Sequence, residues 1–159
     1  KSMKKQLTIN YEWLNHWKEL PESEYILIEK AYEAVKDAYA PYSHFKVGAA
    51  VLLEDGTIIK GNNQENIAYP SGLCAERVAL FYAGANYPNS TVKTIVVLAQ
   101  GDLIASDECV SPCGSCRQVI AESESRQEED IRIILIAQDG KTWIFNSIKD
   151  ILVFPFGVK

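Results

Sequence analysis

The chain has 159 residues, 47% hydrophobic and 23% charged, which is enough apolar material for one sizeable core and unlike the composition of a disordered segment. With 16 Lys and Arg against 21 Asp and Glu, the formal charge is -5, so no excess of cations is present to track a phosphate backbone and a nucleic-acid polymer is not the expected partner. No stretch approaches the roughly 20 apolar residues of a membrane span and the first residues lack an apolar signal core, so a cytoplasmic protein with no membrane partner is expected.

In residues 1–20, the spacing of Tyr11, Trp13, Leu14 and Trp17 predicts a short amphipathic helix, an extension that packs on one domain formed by residues 21–159. Pro21 and Ser23 open a stronger helix whose stripe is Ile28, Ala31, Tyr32, Val35 and Tyr39, with Pro41 as its stop. Residues 45–53 and 57–61 are rich in Val and Ile and meet at Asp55-Gly56, which predicts a hairpin. After a polar loop, residues 72–85 read as a helix and residues 92–99 as a strand covered on both faces. Pro112 is favoured in the first turn of a further helix through Val119 and Ile120, and the acidic residues 122–130 read as a solvated connection. Residues 131–137 and 142–145 are strands flanking the turn Asp139-Gly140, and Asn146 or Ser147 caps a last short helix. This order predicts an α/β fold, a mixed sheet with helices on both faces.

The chemistry concentrates in Cys74-Ala75-Glu76 and, later, Pro112-Cys113-Gly114-Ser115-Cys116. Two thiolates separated by two residues at a helix start can turn toward one ion, and Cys74 brings the protein ligands to three. Structural zinc sites are usually closed by four protein ligands, whereas catalytic ones leave a position for water, so Zn2+ in a catalytic role is expected. Both clusters fall at predicted helix N-termini, whose positive end favours thiolate over thiol. Glu76, two residues past a ligand, is placed to move protons without occupying the open position. Arg77 is the best candidate to offset the charge of the sulfurs, with Arg117 a further one. Cys109 reads as a packing residue.

A ligand followed by a nonligand Glu, then PCxxC, closely resembles the signature of the zinc deaminases. Further segments narrow the likeness: PYSHFKVGAA at residues 41–50, GNNQENIAY at residues 61–69, CAER at residues 74–77 and CGSCRQ at residues 113–118. The chain resembles the small, homotetrameric cytidine deaminases. That resemblance implies a five-stranded mixed sheet sandwiched between helices, and a salvage reaction in which cytidine or 2'-deoxycytidine is hydrolysed to the uridine product and ammonia. It implies that Glu76 takes a proton from zinc-bound water, protonates N3 as hydroxide attacks C4, and helps the second proton to the leaving amine. It also implies ribose contacts from Asn63 and Glu65, a pyrimidine contact from Phe45, a substrate contact from Ala75, and an aromatic near the C-terminus that reaches a neighbouring chain's site. Phe156 is preferred over Phe154 for that last role. His44 has no metal role in the pattern and reads as structural.

The sequence departs from the pattern in its acidic connection after Gln118, its short ending Phe154-Pro155-Phe156-Gly157 and its extension with Trp13 and Trp17. Two other readings compete. A deaminase for an aminoacyl nucleoside antibiotic of the blasticidin type shares the metal motifs but not the segments around Phe45 and Asn63. A noncatalytic zinc-binding module would not need Glu76. An editing deaminase is disfavoured by Cys74, where His is usual, and by the charge of -5.

Overall fold

The computed structural model describes residues 1–157. In chain order the elements are β1 (Glu12–Leu14), α1 (Tyr25–Lys36), β2 (Lys46–Leu53), β3 (Ile58–Asn62), α2 (Ala75–Asn86), β4 (Val92–Gln100), α3 (Gly114–Ser125), β5 (Arg132–Ile136) and β6 (Thr142–Phe145), with short 3-10 turns between some of them. They form one mixed sheet of order β1-β6-β5-β4-β2-β3, in which the β4–β5 pair is parallel and the other pairs are antiparallel. The sheet therefore has six strands, where five were expected.

The additional strand comes from the N-terminal segment, which is extended through Glu12–Leu14 and forms only a 3-10 turn at Trp17–Glu19, not the predicted amphipathic helix. The aromatics there obey a period of two as well as a helical spacing, and the sheet edge selects the former. Tyr11 stacks on Phe145 with ring centroids 5.7 Å apart, Trp13 pairs in register with Trp143, and Leu14 packs against the core on the other face of the sheet. Trp17 closes over α1, edge-on to Tyr25 at 5.2 Å.

Two cores result, because β4 and β5 are apolar on both faces. One face packs Ile28, Ala31 and Val35 of α1 on Ala50, Val96 and Ile134. The other packs Ala75, Ala79 and Leu80 of α2 and Ile120 of α3 on Val51, Val97 and Leu135. The helices approach closely because two strand positions lack side chains. A Cβ at Gly48 would lie 2.8 Å from Val35 N, and one at Gly61 would lie 2.7 Å from Ala79 N. Either would drive a helix off the sheet.

α1 ends at Lys36, short of Pro41, where the Lys46 ammonium donates to the Lys36 carbonyl at 3.0 Å. The acidic stretch also differs from expectation. α3 continues to Ser125, and Glu124 is buried, accepting from Ile131 N at 3.0 Å, Ile148 N at 3.2 Å and Ser147 Oγ at 2.7 Å. Its carboxylate staples α3 to the start of β5 and to the turn after β6.

Candidate metal centre and adjoining cavity

α2 and α3 lie on the same face of the sheet, and the residue at each N-cap is a cysteine. Cys74 caps α2 with ψ 155° and Cys113 caps α3 with ψ 169°, so at both the chain enters the helix from extended backbone. Neither thiol makes a side-chain capping bond, which leaves both sulfurs free for another partner. Cys116, one turn into α3, is buried. The three Sγ atoms lie within 4.8 Å of one another, and Cys113 Sγ is 3.6 Å from Cys116 Sγ.

Tetrahedral zinc with Zn–S bonds of about 2.3 Å requires sulfurs about 3.8 Å apart, so a triad whose sulfurs all lie within 4.8 Å of one another fits zinc with small side-chain adjustments. The sulfurs already share charge unequally. A hydrogen bond from the Cys116 thiol, followed by the Arg77 guanidinium, lowers Cys74 to about 5, while bonding to that thiolate and burial push Cys116 upward. Burial raises Cys109 to about 11, and it stands outside the cluster as a packing residue.

Glu76 is in the first turn of α2 with its side chain buried. Burial, followed by the charge of Cys74, raises its carboxyl to about 7. Its Oε2 has no hydrogen-bond partner among the described residues. An oxygen buried in this state is costly unless something absent from the apo chain binds it. Arg77 places Nη2 at 3.5 Å from Cys74 Sγ, and its Nε also lacks a partner among the described residues.

A cavity of about 470 Å³ opens beside Cys74 and Arg77, with Tyr42, Ser43, Asn63 and Glu65 on its wall. Asn63 and Glu65 come together there, and both are already engaged. Asn63 Oδ1 accepts from Val47 N at 2.8 Å and its Nδ2 donates to the Phe45 carbonyl at 2.9 Å. One N–H and one lone pair remain for a ligand. Glu65 accepts from Tyr42 N at 2.9 Å, from Ser43 N at 3.3 Å and from the Ser43 hydroxyl. Burial pushes its carboxyl up, but these bonds outweigh that and hold it below the usual range. Between them, Gln64 pairs both backbone groups with Leu73, the residue before Cys74, at 2.9 and 3.0 Å. The cavity wall and the metal cluster are thus fastened together through the backbone.

Phe45 is not on the cavity wall. It packs against the core beneath α2 and α3. Ala75, the residue after Cys74, is fully buried against β3. Phe156 is 85% exposed, with its carbonyl held by Gln118 of α3 and its ring turned to solvent and not into the cavity. His44 has φ 55° and donates its N–H to the Ala40 carbonyl at 3.0 Å, a turn residue rather than a ligand. Sequence reasoning did not single out Tyr42 and Ser43 as partners of Glu65, since their closeness depends on a contact across 22 to 23 residues.

The family model of the cytidine and deoxycytidylate deaminase zinc-binding region matches residues 21–128. The cytidine deaminase of Halalkalibacterium halodurans is 44% identical over 61% of this chain and 69% of its own length. That of Sporosarcina psychrophila is 50% identical over 60% of this chain and 66% of its own, so the chain spans about two thirds of these curated relatives. A crystal structure of cytidine deaminase from Burkholderia pseudomallei superposes with a TM-score of 0.72 at 38% identity, covering 83% of this chain and 98% of that one.

Proposed function

This chain belongs to the cytidine and deoxycytidylate deaminase family, and on that footing we propose that it hydrolyses cytidine and 2'-deoxycytidine to uridine and 2'-deoxyuridine with release of ammonia. The observation that carries this reading is the convergence of three thiol sulfurs beside a buried carboxylate that has one oxygen without a partner. Held by Cys74, Cys113 and Cys116, zinc would supply the Lewis acidity that brings the pKa of water toward about 7.

Glu76 is the proton carrier. It accepts the proton of the attacking water, delivers one to ring N3, and passes the second to the leaving amine. Burial in the metal-free chain lifts its carboxyl toward about 7, the direction that suits a group required to give a proton as well as take one. Arg77 offsets thiolate charge at Cys74. Asn63 and Glu65, on the cavity wall, meet the ribose. No helix among the described residues is long and apolar enough to cross a membrane. The substrate is a free nucleoside, and the reaction is a step of cytoplasmic salvage.

The working assembly is a homotetramer with shared sites. Phe154 and Phe156 stand 91% and 85% exposed on one chain, alongside half-exposed Phe81 and Tyr82 on α2. Side chains exposed to this degree support an assembly in which another subunit covers them, with Phe156 meeting the nucleoside of a neighbouring site.

The deciding experiment follows the absorbance loss of cytidine together with zinc content on the same sample, with blasticidin as a second substrate. About one zinc per chain with cytidine turnover supports the proposal. Zinc-loaded protein inert toward cytidine overturns it, and turnover of blasticidin alone transfers the site to the antibiotic.

A further inference from the structure

We propose that Arg117 and Gln118 are positioning residues that register the C-terminal aromatic arm on the helix carrying Cys116. The inference rests on the reading above that Phe156 meets the nucleoside in a neighbouring chain. Arg117 directly follows Cys116, and its guanidinium spends its donors on main chain and loop. Nε donates to the Pro112 carbonyl at 2.9 Å, Nη2 to Ser111 Oγ at 2.7 Å, and Nη1 to the Ile151 carbonyl. One rigid fork thus spans the loop entering Cys113 and the first residue after the last 3-10 turn.

Gln118 fastens the far end of the arm, donating from Nε2 to the Phe156 carbonyl at 2.7 Å. Between the two fastenings the chain passes Phe154 at φ 52°, a left-handed conformation that a side chain resists, and Pro155, which fixes the next φ. An arm pinned at both ends, with a turn at its middle, keeps the Phe156 backbone on α3 and leaves its ring bare. Ordering the arm beforehand removes an entropy cost that would otherwise fall on substrate binding. Phe156 is therefore registered to the same helix that holds Cys116, so its own subunit's metal loop sets the reach of the aromatic into another site.

The test uses the zinc-loaded full chain and the variants Gln118→Leu, which removes the donor, and Gln118→Glu, which sets a carboxylate against the Phe156 carbonyl. Each should raise KM for cytidine about three- to tenfold, the range of one hydrogen bond, with kcat, zinc content and melting temperature held. Phe156→Ala should raise KM at least as much, and adding Gln118→Leu to it should raise KM no further, since both act through one arm. If Phe156→Ala leaves KM unchanged, the assignment of the aromatic fails. If Phe156→Ala raises KM while both Gln118 variants are silent, or if the effects multiply in the double variant, the assignment stands and the positioning role is overturned. Loss of zinc or of thermal stability in both Gln118 variants would also overturn it, by showing a structural role.

Discussion

Arg77 Nη2 lies 3.5 Å from Cys74 Sγ, one turn along α2, so the cation nearest the thiolate comes from the same helix start. Bonding to Cys74 raises the affinity of Arg77 for its own proton, which keeps the guanidinium charged. Arg77→Ala is expected to weaken zinc binding about 10- to 100-fold, the effect of removing a group that supports a ligand. Competition with a chelator measures this. A rise in cytidine KM with zinc affinity unchanged would make Arg77 a substrate contact instead.

Glu76→Gln keeps the shape of a buried side chain and removes its ability to carry a proton. Turnover should fall on the order of 10² or more while about one zinc per chain is retained. Steady-state rates and metal analysis on one preparation check this, and near-normal turnover would assign proton transfer to another group.

The same carboxyl predicts a pH dependence in the metal-free protein. Burial raises it from 4.5 to about 7, so the folded chain binds this proton more tightly than the unfolded one. The stability it contributes is full below pH 4.5 and is lost as pH rises through 7, about 3 kcal/mol in all. Cys74, lowered from 9.0 to about 5, contributes with the opposite sign, gaining as pH rises from 5 to 9.0. It is present in wild type and Glu76→Gln alike, so it largely cancels in their difference. In urea melts under chelator and reductant, the variant should gain on wild type between about pH 4.5 and pH 7. Parallel curves would contradict the burial assigned to Glu76.

Glu124→Ala should destabilise the fold by about 2–4 kcal/mol, because Ile131 N and Ile148 N lose their shared acceptor and Ser147 Oγ loses its own. Glu124→Gln keeps an acceptor oxygen and should cost less. The denaturant midpoint reads both, and a midpoint unmoved by Glu124→Ala would show that water serves these donors equally well.

Deleting residues 1–14 removes β1 and uncovers the β6 edge with Trp143 and Phe145. The melting temperature should fall by several degrees, on the scale of about 2–4 °C per kcal/mol in a domain of this size, with kcat largely kept. β1 is at the opposite sheet edge from the β2–β3 hairpin that supports the cavity. A large loss of kcat in folded, zinc-loaded protein would give the extension a role in the site.

The α/β architecture, the hairpin at Asp55-Gly56 and the helix starts at Cys74 and Cys113 were legible from the sequence. These features depend on local rules, apolar periodicity and turn chemistry, whereas Pro112, expected in the first turn of α3, lies before its N-cap Cys113. The extended rather than helical conformation at Trp13 was not legible, since its spacing suits both periods and only the partner Trp143 selects one. Nor was the burial of Glu124 within an acidic run, because its donors come from two later segments. Arg117, read as a modulator of sulfur charge, proved to grip Pro112, Ser111 and Ile151. A local pattern states which groups a segment offers. Which group each one meets is settled only when the sheet brings distant segments within hydrogen-bond range, because a bond shorter than about 3.5 Å between residues far apart in the chain leaves no periodic trace in either segment.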